Sequence, residues 1–191
     1  ADAVAMLWGR EIQNACRDVS FGENSVDHAP FSKATFWPMS KLRRHQGCKV
    51  PLSLYNAHRP NGLLPTVMSG DWKLREDRRG KPGWIATSQG ARIEFRVRFG
   101  PWPELFVTYL RSYEHIGSVL ASLATTEVSE VVDGHWQTKA SQADLAWLSG
   151  PEHRVFRKAV APNSEYTLQL ELLEASTRNA TKFKVMQVIS C

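Results

Sequence analysis

Between Arg92 and Phe99 polar and apolar residues alternate without a break: Arg92-Ile93-Glu94-Phe95-Arg96-Val97-Arg98-Phe99. A period of two puts Ile93, Phe95, Val97 and Phe99 on one side of an extended backbone, with Arg92, Glu94, Arg96 and Arg98 on the other. A helix would scatter the same residues around its axis, so this segment reads as a strand with one buried face. Similar short segments recur after Gly70, at 72–76, 84–87, 104–111, 117–123, 127–132, 135–139, 153–160, 165–173 and 182–190. Strands this short and evenly spaced, separated by turn residues, predict a mainly β protein: an antiparallel, jelly-roll-like β-sandwich over 71–191. In Tyr166-Thr167-Leu168-Gln169-Leu170-Glu171-Leu172 the Tyr and Leu positions should face inward. Ala140 to Leu148 reads as the one short helix of this region.

The first 70 residues follow other rules. Val4, Trp8, Ile12 and Cys16 recur at four-residue steps, which predicts a helix over 1–16 despite Gly9. From 17 to 70 five prolines (Pro30, Pro38, Pro51, Pro60, Pro65), with Gly22, Gly47 and Gly62, break every pattern. That segment reads as an extended, proline-rich linker pinned by aromatics, with a short strand over Val50 to Leu54. The opening Ala1-Asp2-Ala3-Val4-Ala5-Met6 carries no initiator Met and no basic lead, so the chain reads as one cut from a longer protein.

Composition narrows the partners. Twenty-four bases against 19 acids give a net charge of +5, and the two signs are interspersed. Nucleic-acid modules cluster their bases far more strongly, so nucleic acid is not an expected partner. No apolar run is long enough to span a bilayer. Cys16, Cys48 and Cys191 lack metal-ligand spacing, and one disulfide plus one leftover thiol is the simplest oxidised arrangement. Cys16–Cys48 would close the linker, whereas a bridge to Cys191 would fasten the chain end. Possible disulfides, seven Trp and the glycosylation triplet Asn179-Ala180-Thr181 point to a secreted or lumenal glycoprotein.

Two constellations stand out. Arg92, Arg96 and Arg98 share one face and form a candidate strip for an anionic ligand, because a guanidinium matches carboxylate or sulfate. The plainer reading is a solvated outer face with Glu94 between the arginines. The second constellation gathers Trp84, Arg111, Tyr113, Glu114, Asp133, His135 and Trp136. Aromatic rings stack on the apolar faces of sugars, and Arg, Glu and Asp hold hydroxyls by charge-assisted hydrogen bonds. The plainer alternative makes Trp84 and Tyr109 core residues and pairs Arg111 with Glu114 or Asp133. His115, His135 and Asp133 also hold the residue types of a metal site, without its tight spacing. No cofactor is expected, and calcium held by backbone carbonyls stays open because no side-chain pattern reports it.

Gly83-Trp84-Ile85-Ala86, the strand pair that follows, Tyr109 to Gly117 and Val132-Asp133-Gly134-His135-Trp136 together resemble a known tail. It is the C-terminal β-sandwich found after the catalytic domain in eukaryotic SGNH/GDSL-like esterase proteins of plants and algae. The resemblance covers about 120 residues and includes the closing Lys182-Phe183-Lys184-Val185 to Cys191. The helix from Ala3 to Cys16 is similar to the last helix of an SGNH domain. The departures matter equally. Such enzymes need a Ser in a Gly-Asp-Ser block and a terminal Asp-x-x-His. Here Gly70-Asp71 is followed by Trp72, and Asp27-His28 lacks the spacer. No catalytic residue carries over.

The sequence therefore predicts a non-catalytic accessory sandwich that binds carbohydrate or cell wall and is attached to an SGNH-like esterase or acyltransferase. Two alternatives stay open. One is a protein-interaction sandwich of an extracellular complex. The other is an esterase-type hydrolase, which would need Asp27, His28, Glu114, His115, Asp133 and His135 to converge.

Overall fold

The computed structural model describes residues 48, 50–60, 63–174 and 182–191. Every described residue belongs to the unit Thr35–Cys191. The helix expected over 1–16, most of the proline-rich linker, Cys16 and the glycosylation triplet lie outside the described residues.

The fold is an antiparallel β-sandwich. Among the described residues eleven strands run in the order β1 (Ser53–Asn56), β2 (Thr66–Ser69), β3 (Lys73–Glu76), β4 (Pro82–Ala86), β5 (Arg92–Arg98), β6 (Leu105–Arg111), β7 (Ser118–Leu123), β8 (Ser129–Asp133), β9 (Gln142–Trp147), β10 (Glu165–Leu172) and β11 (Phe183–Ser190). One sheet has the order β3-β4-β11-β6-β9, with β1 also pairing β11; the other has the order β2-β5-β10-β7-β8. A single helix among the described residues, α1 (Arg154–Ala159), sits between β9 and β10.

The alternation that opened the sequence is the physical basis of the core. Ile93, Phe95 and Val97 of β5 stand beside Leu170, Leu168 and Tyr166 of β10 on the buried side of one sheet, in the register Tyr166↔Val97, Leu168↔Phe95 and Leu170↔Ile93, and Leu172 extends the same apolar row. Each such side chain contributes about 1.5–3 kcal/mol by leaving water. Tyr55 of β1 closes one flank. Its hydroxyl donates to Arg96 O (2.9 Å) and accepts from Arg96 N–H (2.8 Å), while its ring meets Phe95 edge-on at 5.0 Å. The polar edge of β5 that β2 leaves uncovered is thereby satisfied from the opposite sheet.

Several elements differ from the sequence reading. Within 140–148, Gln142–Trp147 forms strand β9 rather than a helix, because pairing with β6 from Phe106↔Trp147 to Arg111↔Gln142 outweighs the helix preference of Ala and Leu. Residues 153–160 contain α1 rather than a strand: Phe156 and Val160 stand four apart and are both buried. Residues 135–139 form no strand and only one isolated bridge at His135. Within the stretch read as linker, the strand expected over Val50 to Leu54 overlaps β1, and β2 is a further, unexpected strand; the two belong to different sheets.

A disulfide joins Cys48 to Cys191 across 143 residues of sequence. Cys48, Phe106, Ile189 and Cys191 form a second apolar cluster with Leu145 and Trp147 packed against it.

Candidate functional site

The site is built where β6 leaves the sandwich. Leu105 to Tyr109 are buried, and the strand emerges through half-buried Leu110 and Arg111. Ser112, still buried, docks on the segment between β8 and β9: its N–H donates to Gly134 O (2.9 Å), and its carbonyl accepts from Trp136 N–H (3.2 Å). The Ser112 and Ser141 hydroxyls share a 2.8 Å hydrogen bond. On the far side of the loop Ile116 is buried, Gly117 N–H donates to Lys182 O (2.7 Å), and Gly134 N–H donates to Gly117 O (3.1 Å). Tyr113, Glu114 and His115 are thus an exposed tip anchored at both ends. His115 adopts a left-handed backbone with φ 51°, uncommon for a residue with a side chain.

Gly134 permits this junction. A Cβ there would stand 2.9 Å from Gly117 O and 3.0 Å from Ile116 Cγ1, closer than the backbone can tolerate. A single residue type lets the two loops touch.

Arg111 joins the chemistry of both loops. Its Nη1 donates to Asp144 Oδ2 at 2.8 Å, and its guanidinium carbon lies 5.4 Å from the centre of the Trp136 ring. The bond to Asp144 pushes the ionisation of Arg111 further up, so its charge is permanent. The Trp136 indole N–H donates to Ala140 O (2.7 Å), which fixes the ring. Asp133 Oδ1 accepts from Ser118 Oγ and from His135 N–H, both at 2.9 Å. Among the described residues no hydrogen bond engages the side chains of Tyr113, Glu114, His115 or His135. Their polar groups face solvent beside an aromatic ring and a fixed cation.

Six of the seven residues read from the sequence therefore share one rim: Arg111, Tyr113, Glu114, Asp133, His135 and Trp136. Trp84 does not join them. It is 3% exposed and packs edge-on against Phe95 at 5.8 Å, because its position on β4 faces the core. The partner of Arg111 is also corrected: it is Asp144, not Glu114 or Asp133. Asp144 escaped the sequence reading because its strand was read as a helix. His115, Ser112 and Ser141 were likewise not assigned to this site.

Two of the three arginines of the strip carry ion pairs. Arg92 pairs with Glu171 at 2.9 Å and Arg98 with Glu165 at 2.8 Å, because β10 sets these acids directly opposite. Glu94 accepts from Gln169 at 3.0 Å. Arg96 has no ion pair among the described residues. No group of three His, Cys, Asp or Glu side chains able to hold a metal ion occurs among the described residues, and no helix among them is long and apolar enough to cross a membrane.

No family model matches this sequence, and no curated protein matches it. Solved structures do. A two-domain esterase (CEX) active on acetylated mannans, co-crystallised with mannopentaose, superposes with a TM-score of 0.53 at 16% identity over 97% of this chain. This chain spans 44% of that esterase chain. The CBM36-1 domain of a multidomain xylanase from the hindgut metagenome of Trinervitermes trinervoides has a TM-score of 0.40 and 6% identity, covering 67% of this chain and 97% of its own. CBM35 from Cellvibrio japonicus Abf62 has a TM-score of 0.37 and 12% identity, covering 65% of this chain and 85% of its own. The likeness to the esterase is one of fold, a two-sheet β-sandwich.

Proposed function

We propose that this chain is a non-catalytic, carbohydrate-binding accessory module, carried by an SGNH/GDSL-like esterase of the plant or algal type and secreted or lumenal. The observation that carries this reading is the convergence of Arg111, Tyr113 and Glu114 with Asp133, His135 and Trp136 through the Ser112–His135 bridge. The rim combines a half-buried indole under a fixed guanidinium with an exposed phenol, carboxylate and imidazole. That is a set suited to sugar rings and hydroxyls. The fold shared with an esterase active on acetylated mannans supports the same direction, as does the Cys48–Cys191 disulfide.

Each residue takes a distinct role in this reading. Tyr113 and Trp136 supply stacking surface, while Glu114, His135 and the free oxygen of Asp133 supply acceptors. Arg111 holds Trp136 in place. The test is affinity electrophoresis in gels containing mannan, xylan or cellulose derivatives. Tyr113→Ala combined with Trp136→Ala should sharply reduce retardation while the melting temperature shows the domain folded. Undiminished retardation of a folded double variant sinks the rim as the site.

A further inference from the structure

We infer that Trp102 is a second sugar-stacking platform, at the end of the sandwich opposite the rim, so that the module is bivalent for polysaccharide. The inference rests on the carbohydrate reading above. Trp102 is 77% exposed, whereas Trp72 and Trp84 are each 3% exposed and Trp136 and Trp147 are half-buried. Tryptophan is strongly buried on average, so a ring left in water is the informative exception.

Its exposure is not that of a loose loop. Trp102 stands between Pro101 and Pro103, which fix their own φ angles and confine the residue before each to an extended backbone. Both flanks are tied down. Phe99 N–H donates to Ser164 O (2.8 Å), Asn163 N–H donates to Gly100 O (3.0 Å), and Glu104 exchanges backbone hydrogen bonds with Cys191 (3.2 and 3.0 Å). The Cys48–Cys191 disulfide anchors the same end. A ring presented by a rigid loop loses little freedom on binding.

The loop bonded to this segment carries a polar side chain. Asn163, exposed and left-handed at φ 52°, lies on the loop bonded to Gly100. A carboxamide on that loop has an acceptor oxygen and an NH2 donor group for the hydroxyls of a pyranose stacked on Trp102. Arg111 and Trp102 lie at opposite ends of β6, whose seven residues separate them by roughly 24 Å. The two platforms would therefore engage different stretches of polymer, and retention on a solid polysaccharide would gain by avidity.

The test uses the full chain, its Trp102→Phe and Trp102→Ala forms, and the rim double variant. Indole quenching by acrylamide is measured with mannopentaose, xylopentaose or cellopentaose, and retention is measured on the matching insoluble polymers. At least one oligosaccharide should shield emission that is missing from Trp102→Phe, and this shielding should persist in the rim double variant. Trp102→Ala should lower retention by about tenfold, the factor that corresponds to about 1.4 kcal/mol. Identical shielding in the native and Trp102→Phe chains, or retention that depends on the rim alone, overturns the platform and leaves the rim standing. Retention that depends on Trp102 alone does the reverse. Shielding of Trp102 by self-association without sugar, or no binding of any of the three sugars, also overturns it.

Discussion

The guanidinium of Arg111 lies over the ring of Trp136, 5.4 Å from its centre, and thereby couples the end of β6 to the loop after β8. Asp144 holds that guanidinium from β9 at 2.8 Å. Arg111→Ala should cost about 0.5–1 kcal/mol of stability through the lost cation–π contact, because the pair is partly exposed and screened. Its larger effect should be on Trp136, whose ring would lose its cover. Arg111→Lys keeps the charge but not the planar fork, and should weaken polysaccharide retardation with a smaller change in melting temperature.

Gly134 sets the distance between the two rim loops. A Cβ there meets Gly117 O at 2.9 Å, so Gly134→Ala should destabilise by about 1–3 kcal/mol as an overpacking change. The hydrogen bond from Ser112 N–H to Gly134 O should open. Amide exchange at Ser112 and Trp136 should accelerate more than exchange in β5, and retardation should fall.

Lys184 and Asp77 form the most buried ion pair among the described residues. The Lys184 side chain is 1% exposed, and its ammonium bonds Asp77 and the carbonyl of Lys81, while Lys182 holds the other Asp77 oxygen at 2.9 Å. Burial pushes the ionisation of Lys184 down, against the pull of Asp77. Removing one partner should therefore be very unequal. Asp77→Asn leaves a buried cation and should cost about 3 kcal/mol or more, whereas Lys184→Met should cost far less or nothing. Urea unfolding of the two single variants measures the difference.

Two aspartates set the acid limb of stability. Burial disfavours the charge of Asp71, but hydrogen bonds from Thr87 and Ser88 outweigh it and bring its pKa from 3.8 to about 2. Burial likewise opposes the charge of Asp77, and Lys184 and Lys182 bring it to about 2. Both folded values lie below the unfolded ones. Their contribution is therefore complete above about pH 4 and is lost as pH falls through about 2. The native chain should lose stability over that window. Asp71→Asn combined with Asp77→Asn should flatten the loss in denaturant midpoints measured from pH 5 to pH 2.

The Cys48–Cys191 bridge closes a loop of 143 residues, and its loss should cost about 2–5 kcal/mol. Cys191 lies at the end of β6 opposite the rim, beside Glu104. Reduction should lower the unfolding midpoint while leaving oligosaccharide-induced shifts at the rim residues Tyr113 and Trp136 unchanged in the folded fraction. Unchanged midpoints with and without reductant would contradict this.

The strands legible in the sequence are those with strict alternation. β5 and β10 each bury one clean apolar set, and nothing else could satisfy Ile93, Phe95, Val97, Leu168, Leu170 and Leu172 together. Where local preference and tertiary pairing disagree, the sequence misleads. Gln142–Trp147 has the composition of a helix and becomes a strand because β6 offers it a full ladder. The rim was legible as a cluster of residue types, since Tyr113, Glu114, Asp133, His135 and Trp136 are polar or aromatic residues at strand ends. Burial was not legible: Trp84 has rim chemistry but core parity. Pairing across the sheet was not legible either, so the acids that neutralise Arg92 and Arg98 became visible only with the register of β10 against β5.

The central claim is that the loops after β6 and β8 jointly hold a sugar chain. Amide and indole resonances of the full chain, followed by NMR during titration with mannopentaose, xylopentaose and cellopentaose, test it most directly. The account predicts saturable shifts at Tyr113, Glu114, His135 and the Trp136 indole N–H with one of these sugars, while Trp84 and the core of β5 stay fixed. Saturable binding that leaves all four rim residues unmoved, or no binding by any of the three, would contradict it.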